Sequence, residues 1–199
     1  MLRAMEEQAP EMIRTLAEGC ARFVKQAVGV ELDGTPDTLP ILDHYLAMAR
    51  EEDGEEVLGL VATSAGAYFG EVVRRVAGGR WVLADEADAS SWRLEMEHVF
   101  LSFDPVGVAR EAITEQDEEG WNAHLEVLEQ DRRVIAQALE NTGDVSEEDY
   151  YRLAIRWEVI EQALAVLEAA AQARGEADKR YGPEVYQRVL GGRAPSLPH

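Results

Sequence analysis

One predicted helix constrains the fold more than any other feature, because part of its surface carries no side chains. In the segment GAYFGEVVRRVAGGRW, from Gly66 to Trp81, apolar residues recur every three or four positions, which is typical of a helix. Ala62, Gly66 and Gly70 lie four positions apart on one face. Each glycine costs a helix roughly 1 kcal/mol relative to alanine. We expect close packing to offset this cost, so another helix is predicted to lie on this strip.

The hydrophobic period is that of a helix through the first 77 residues. Helices are predicted over about residues 5–28 and from Thr38 to the acidic turn at 51–56. The glycine-containing helix follows and ends at Gly78-Gly79. Its apolar face is predicted to include Val57, Leu60 and Val76.

Two later stretches alternate with the period of a β-strand. RWVLA at 80–84 is a short predicted strand, and WRLEMEHVFLSF at 92–103 is predicted as one half-exposed antiparallel strand. In this strand Glu95 is placed on the solvent side. Two strands alone are marginally stable. We therefore expect them to lie on the helices or to pair with a third strand, for which residues 30–32 are a candidate.

The last third of the chain is predicted to be helical. Apolar residues keep spacings of three and four over residues 121–139 and again over 150–171. Between them, Gly143 is the predicted C-cap and Ser146 the predicted N-cap. The short connection favours a long antiparallel helical hairpin, and a final helix is predicted over 183–190.

These elements predict an α+β fold that is predominantly helical. A small antiparallel β-sheet packs on helices and is followed by a long antiparallel αα-hairpin. Residues 1–115 are expected to form the α+β core domain, residues 116–191 the helical hairpin packed on it, and residues 192–199 a tail. The hairpin is interpreted as part of the core, and a dimeric coiled coil is the alternative.

Acidic residues outnumber basic residues by two to one. The chain has 39 Asp and Glu against 19 Lys and Arg, a formal net charge of −20. This balance argues against nucleic acids and anionic membranes as partners, since both are bound through basic residues. The excess of acidic residues can be explained by solubility alone, and it can also be explained by attraction to a basic protein.

The sequence is interpreted as that of a cytoplasmic protein. No apolar run approaches the roughly 18–20 residues that span a bilayer. The start MLRAMEEQAPEM has acidic residues where a signal peptide has basic and apolar ones. Cys20 is the single cysteine, which excludes an intramolecular disulfide and a cysteine-rich zinc module. We expect it to be a buried, unreactive thiol.

The negative charge is concentrated between Glu111 and Asp149. This segment has thirteen acidic residues and two bases, Arg132 and Arg133, a net charge of −11. It is interpreted either as a solvated face that keeps the protein soluble or as an electrostatic docking surface for a basic protein. The candidate binding residues on this surface are Glu118, Glu119, Glu126, Glu129, Asp144, Glu147 and Glu148.

A second candidate site lies on the glycine-containing helix. Glu71 follows Gly70 and precedes Arg74 and Arg75 by three and four residues, so a surface ion pair with one of these arginines is the simpler interpretation. The functional interpretation is a small pocket over the glycine strip. The side chains that would meet a ligand there are Tyr68, Glu71, Arg74 and Trp81.

No catalytic residue, metal site or cofactor is predicted. The chain contains neither a G-x-x-x-x-G-K-[ST] phosphate loop nor a G-x-S-x-G nucleophile motif. Glu95 and His98 have the E-x-x-H spacing of di-iron bundles, but that spacing requires a helix. On a predicted strand the two side chains point to opposite faces. We therefore expect a protein that is not an enzyme.

Three segments carry a family resemblance through their order and spacing. They are VELDGTPDTLPILDHYL at 30–46, AGAYFGEVVRRVAGGRWV at 65–82 and FDPVGVAREAI at 103–113. Together they resemble a widespread bacterial family without an established activity, whose pattern is an LD-turn-SL-x-x-LD helix, a G-A-Y-L-G-E-V helix ending in G-G-x-W, and a later N-P-F. Phe69 replaces an aliphatic residue of that pattern, and Asp104-Pro105-Val106 replaces N-P-F. The resemblance implies a compact α+β core with a helical addition and no particular activity.

Three functions remain open at this point. The first is an acidic cytoplasmic protein-binding module, of the immunity or inhibitor type, that docks a basic partner. The second is a scaffold or assembly subunit that forms oligomers through its C-terminal helical hairpin. The third is a small-ligand binder or an enzyme built around Glu71.

Overall fold

The structure, a computed structural model, describes most of the chain: residues 9–52, 54–140 and 146–191. Three sequence predictions fall outside these residues. They are the start of the first helix at about residue 5, the C-cap at Gly143 and the tail at 192–199.

Three helices form the first part of the described chain: α1 (Glu11–Val28), α2 (Leu39–Glu52) and α3 (Glu55–Ala77). α1 begins directly after Pro10. It ends at Gly29, whose φ of 80° lies in the left-handed region that favours glycine. The prediction of three successive helices is confirmed, and their acidic and glycine-rich ends lie where the sequence placed them.

α3 packs through its glycine strip, as predicted. α4 (Pro105–Thr114) begins directly against Gly66: a Cβ built there would lie 2.5 Å from Val106 Cα. At Gly70 the indole ring of Trp81 occupies the space that a Cβ would need. The strip therefore seats both a helix N-terminus and an aromatic ring. The predicted apolar face is wrong near the two ends of α3, where neighbouring elements do not cover it and three side chains are exposed: Val57, Leu60 and Val76.

Four short strands form one antiparallel sheet in chain order: β1 (Gly79–Leu83), β2 (Trp92–Met96), β3 (Leu101–Phe103) and β4 (Glu126–Val127). The single long strand predicted over 92–103 is wrong, because the chain turns back and Leu94 pairs with Phe103. The turn escapes a pattern analysis because two of its residues, Val99 and Phe100, are buried and apolar. The candidate strand at 30–32 is also wrong, since that segment is irregular.

Glu95 is a further correction in the sheet. The sequence places it on the solvent side, yet the residue is 1% exposed. Arg80 Nη2 lies 2.5 Å from Oε2, and Arg93 Nη2 lies 2.5 Å from Oε1. Arg80 also donates a hydrogen bond to the Tyr181 carbonyl oxygen at 2.9 Å. The C-terminal segment thus covers the face of the sheet that the alternation assigned to water.

The described C-terminal part contains α5 (Glu129–Glu140), α6 (Glu147–Tyr150), α7 (Leu153–Ala173) and α8 (Pro183–Leu190). α5 and α7 form the predicted antiparallel pair. Gln162 Nε2 donates to the Ala138 carbonyl oxygen at 3.1 Å near one end. Arg174 Nη1 lies 2.7 Å from Asp131 Oδ1 near the other.

Both hairpin helices begin later than predicted. The helix expected from residue 121 begins at Glu129, because residues 121–128 pair with the sheet: Asp104 N–H donates to the Asn122 carbonyl oxygen at 2.9 Å. The helix expected from residue 150 is interrupted after α6, and α7 then begins at Leu153. Ser146 is the N-cap of α6, as predicted, and accepts a hydrogen bond from Asp149 N–H at 3.2 Å.

One hydrophobic cluster joins the two halves of the described chain. Leu42 of α2, Phe69 of α3 and Ile160 of α7 all belong to it. A smaller cluster fastens α8 to the turn between β2 and β3, where the Tyr186 hydroxyl lies 2.8 Å from the Met96 carbonyl oxygen. The predicted fold class is confirmed, while a domain boundary at residue 115 stays a prediction. In the described part of the chain, no helix is long and apolar enough to cross a membrane.

Candidate functional site

The predicted pocket residue Glu71 lies inside a closed set of donors. The residue is 3% exposed. Arg74 reaches both carboxylate oxygens, with Nε 2.7 Å from Oε1 and Nη2 3.1 Å from Oε2. Trp81 Nε1–H donates to Oε1 at 2.9 Å, and Arg75 Nε lies 3.6 Å from Oε2. We call Glu71, Arg74, Arg75 and Trp81 the Glu71 cluster. The predicted ion pair exists, but the expectation that it lies on the surface is wrong, because β1 brings Trp81 over the carboxylate.

A cavity of about 220 Å³ lies beside the Glu71 cluster, between α1 and α3. Tyr68 and Glu71 contribute to its lining, whereas Arg74 and Trp81 do not. Gly34 N–H donates to the Tyr68 hydroxyl at 2.8 Å on one side of it. The four residues predicted to form a pocket therefore lie together, but the oxygens of Glu71 accept from donors of the protein itself.

Some of the acidic candidates from the sequence are paired with arginines. Glu118 is half-buried and lies 3.2 Å from Arg110 Nη2, and Glu119 is exposed. Glu126 is half-buried in β4. Glu129 is exposed and lies 3.1 Å from Arg132 Nη1. Of the remaining candidates, Asp144 and the side chains of Glu147 and Glu148 lie outside the described residues.

Bases from elsewhere in the chain pair with other acids of the same segment. Asp131 is 2% exposed and pairs with Arg174, and Glu115 pairs with Arg50 at 2.5 Å. The local net charge of −11 therefore overstates the negative charge that this segment presents to solvent. The charge of a surface therefore depends on which acids pair with bases in the folded chain, and not on the count of acids along the sequence.

The outward face of α7 carries acids that the sequence analysis did not select. Glu158, Glu161 and Glu168 are exposed and recur at spacings of three and seven residues. The sequence from Trp157 to Ala173 contains no lysine or arginine. The predicted apolar stripe could have located these acids, because the side of a helix opposite its buried face is the side exposed to solvent.

A second buried glutamate has a different environment. Glu111 of α4 is 1% exposed, and Arg156 Nη2 of α7 lies 2.5 Å from its Oε2. Asp117 and His124, from the segment between α4 and β4, approach it from the solvent side. One ligand atom from each of Glu111, Asp117 and His124 lies within 4.8 Å of the other two. We call these three residues with Arg156 the Glu111 cluster.

The two carboxylate oxygens of Glu111 differ in their hydrogen bonding. Burial raises the pKa of Glu111, although Arg156 acts in the opposite direction. Among the described residues, Oε1 accepts a hydrogen bond from Glu118 N–H, at a long 3.4 Å. The exposed Asp117 carboxylate accepts a hydrogen bond from the Tyr151 hydroxyl at 3.4 Å. No metal site is predicted from the sequence here. Glu111, Asp117 and His124 are spaced by six and seven residues across a helix end and an irregular segment, and these spacings match no ligand motif.

A polar groove of about 440 Å³ lies between α2, the end of α4 and the start of α7. Its polar lining includes Asp43, His44, Arg50, Glu115, Tyr151 and Arg152. Asp43 caps α7, accepting from its first two N–H groups at 2.7 and 3.1 Å. Burial raises the pKa of Asp43 to about 6 despite these hydrogen bonds. Since Asp43 holds α7 and Arg50 holds Glu115, the groove is built largely from side chains with structural roles.

Asp104 is the N-cap of α4. It is 1% exposed, and its Oδ1 accepts from Val106 N–H at 2.8 Å at the start of α4. Oδ2 is buried without a hydrogen-bond partner. Burial raises the pKa of this carboxyl to about 7, with a smaller contribution from the negative charge of Asp88. The side chain is therefore an N-cap whose second oxygen is more stable protonated.

Comparisons with known proteins give a family match over the N-terminal part of the chain and no activity. Residues 1–95 match the model of DUF6278, a family of unknown function. No curated protein and no solved structure matches the chain. The match covers two of the three segments on which the family resemblance was based, and the third, at 103–113, lies beyond it. The motif pattern and the bacterial distribution stay predictions.

Proposed function

We propose that this chain is a protein-binding module that docks a basic protein through the outward face of α7. The observation that carries the proposal is the exposed set Glu158, Glu161 and Glu168 on a helix surface without a neighbouring base along the helix. We call these three residues the α7 acidic face. It replaces the surface that the sequence analysis drew from residues 111–149.

The distribution of the bases supports an electrostatic role for this face. Many arginines of the described chain are engaged with buried carboxylates, as Arg74 is with Glu71 and Arg156 with Glu111. The excess of acids over bases is therefore carried by exposed side chains. A surface of one sign raises the rate of association with a partner of the opposite sign by about 10–10³-fold at low salt.

The proposal includes a cytoplasmic location and no catalytic activity. Burial raises the pKa of the Cys20 thiol to about 12, which is consistent with an unreactive side chain in the core. An immunity or inhibitor role, in which the acidic face covers a basic toxin or enzyme, is one specific form of this function. The proposed partner is a protein with a basic surface, and nucleic acids and membranes are not proposed as partners.

The experiment compares two triple variants that remove the same charge from different places. Glu158→Gln, Glu161→Gln and Glu168→Gln neutralise the α7 acidic face. Glu18→Gln, Glu51→Gln and Glu86→Gln remove three exposed charges elsewhere. Each protein is immobilised and exposed to a lysate of its source cells, and the retained proteins are identified. A partner is then purified and its dissociation constant is measured against all three chains.

We expect a basic protein to be retained by the wild type and the control but bound about 10-fold more weakly by the α7 variant, a difference of about 1.4 kcal/mol. The complex should dissociate at about 0.5 M NaCl, where charges are screened within a few ångströms. Equal weakening in both variants would reduce the effect to net charge and contradict a docking face. Retention of no basic protein would refute the proposal as a whole.

Oligomerisation through the C-terminal hairpin is the second proposal. The apolar face of α7 packs inward, with Trp157 7% exposed in the core, so it is not available to a second copy. Val134 on α5 is 37% exposed and is the apolar side chain that such an interface would use. Light scattering that gives a dimer in wild type and a monomer in Val134→Glu would support it.

Ligand binding around Glu71 is the third proposal. The 220 Å³ cavity is large enough only for a small molecule, and Tyr68 is one of the polar residues that line it. Native mass spectrometry that finds a bound compound, lost in Tyr68→Phe, would support it. Because the oxygens of Glu71 already accept hydrogen bonds from Arg74 and Trp81, replacing the tyrosine hydroxyl tests ligand binding better than replacing Glu71 does.

A further inference from the structure

We propose that Glu111, Asp117 and His124 form a binding site for a divalent transition-metal ion, and that zinc is the ion it takes. The site would use one carboxylate oxygen from each acid and one imidazole nitrogen. Their ligand atoms already lie within 4.8 Å of one another, although the residues come from a helix and an irregular segment. This inference does not depend on the docking proposal.

The geometry needs only a modest contraction. Zinc holds oxygen and nitrogen ligands at about 2.0–2.2 Å, so that ligand atoms in a tetrahedral site lie about 3.3–3.6 Å apart. Glu111 is fixed by burial, whereas Asp117 and His124 are exposed at the protein surface. The two exposed side chains can therefore close on an ion held at the buried one.

Arg156 fixes the orientation of the Glu111 carboxylate and binds one of its two oxygens. Its Nη2 binds Oε2 of Glu111 at 2.5 Å, while the hydrogen bond to Oε1 from the described part of the chain is the long one from Glu118 N–H, at 3.4 Å. A group that fixes a ligating carboxylate from the far side plays the part of an outer-shell partner in metal sites. The carboxylate is thus held in one orientation, and one of its oxygens keeps lone pairs for a metal.

The donor set decides the class of ion. An imidazole with two carboxylates suits borderline first-row ions, whereas magnesium and calcium prefer oxygen ligands alone. Among the common first-row ions, zinc binds such sites more tightly than manganese or iron(II). Three protein ligands leave a fourth position for water on the solvent side, as in zinc sites that exchange ligands.

The test is a zinc titration of the untagged full chain by calorimetry, with excess magnesium present to occupy non-specific acidic positions. The ligand variants are His124→Ala and Asp117→Asn, which change exposed side chains and leave the buried Glu111–Arg156 pair intact. The matched control is His98→Ala, which removes another exposed histidine. The histidine resonances are followed by NMR in the same titration.

We expect one zinc ion per chain in wild type and in His98→Ala. Each ligand variant should bind it more than about 10-fold more weakly, since even outer-shell partners are worth about 10–100-fold. The His124 resonances should shift on zinc addition while those of His98 do not. Absence of a single zinc site in the presence of magnesium would overturn the proposal. Equal affinity in wild type, His124→Ala and Asp117→Asn would overturn it as well.

Discussion

The Glu71 cluster and the Glu111 cluster each hold a glutamate at 3% exposure or less against an arginine. In the Glu71 cluster, Arg74 and Trp81 supply three hydrogen bonds to the two oxygens, and all of the donors lie within eleven residues of sequence. In the Glu111 cluster, Arg156 binds one oxygen from across 45 residues of chain, and an exposed acid and an exposed histidine lie close to the carboxylate.

The difference separates a structural carboxylate from one that is available for function. A buried charge is tolerated when its hydrogen-bonding capacity is used, and then it has little left for a ligand. The Glu71 cluster meets that description, and close packing at Gly66 and Gly70 surrounds it. In the Glu111 cluster, Oε1 accepts one long hydrogen bond, from Glu118 N–H at 3.4 Å, and two exposed side chains with ligand atoms lie close to the carboxylate.

The largest expected effect tests whether the region around the Glu71 cluster is as tightly packed as its contacts indicate. In Gly66→Ala the new Cβ would lie 2.5 Å from Val106 Cα and 2.7 Å from the Pro105 carbonyl oxygen. Backbone atoms cannot give way as a side chain can, so we expect the free energy of unfolding to fall by about 4–5 kcal/mol.

Gly59→Ala, on the same helix, is the control for this variant. A Cβ at Gly59 has no other atom within 4 Å, so replacement should raise stability by about 0.5–1 kcal/mol through helix propensity. Chemical denaturation measures both variants. A loss of less than about 1 kcal/mol in Gly66→Ala would mean that α4 can move away from α3, contrary to the closed packing described above.

A second test concerns Asp104, whose Oδ2 is an unpaired oxygen in the packed region. Burial raises its pKa from an ordinary value of 3.8 to about 7. Between these pH values the native state retains a proton that the unfolded state has released. The contribution of this proton to the free energy of unfolding is therefore complete below about pH 4 and is lost as the pH rises through about 7. The total loss is up to about 4 kcal/mol.

Asp104→Asn should remove this part of the pH dependence, because the amide oxygen can still accept from Val106 N–H but does not titrate. We expect the unfolding free energy of the wild type to fall more steeply than that of the variant between about pH 4 and 8. Asp178→Asn, which replaces an exposed acid, should follow the wild type. Parallel curves for wild type and Asp104→Asn would show that Oδ2 does not bind a proton in this range.

The third test removes the charge at the centre of the Glu71 cluster. Glu71→Gln leaves the half-buried Arg74 beside a neutral amide, and we expect a loss of about 3 kcal/mol in unfolding free energy. Glu168→Gln, at an exposed position on α7, should change stability by less than about 0.5 kcal/mol. Zinc affinity should be the same in both. A Glu71→Gln variant as stable as wild type would remove the distinction between the two clusters.

The sequence predicts the local part of this comparison well. The period of α3, its bare strip and the pairing of Glu71 with Arg74 all arise within a few turns of one helix, so spacing alone locates them. The burial of the pair depends on Trp81, which β1 carries back over the helix. Spacing contains no information on that return, and so the ion pair was expected on the surface.

The Glu111 cluster could not be predicted because it is assembled by tertiary contacts. Residues 121–128 keep a helical apolar spacing, yet their backbone pairs with the sheet through Asn122 and β4. Only that pairing brings His124 towards Glu111, and only the packing of α7 brings Arg156. The same reason explains the missed turn between β2 and β3, where Phe100 is buried in the cluster that α8 forms.

The smallest expected effect is the sharpest test of the open cluster. Asp117 is exposed, and its only hydrogen bond among those described is the long one from the Tyr151 hydroxyl. Asp117→Asn should therefore change the unfolding free energy by less than about 0.5 kcal/mol without zinc, as measured by chemical denaturation in a chelator. With saturating zinc the wild type should gain stability and the variant should gain less, because an ion that binds the native state stabilises it in proportion to its affinity. A large loss in the chelator would instead make Asp117 a structural partner of the fold, and the two glutamate clusters would then differ in exposure alone.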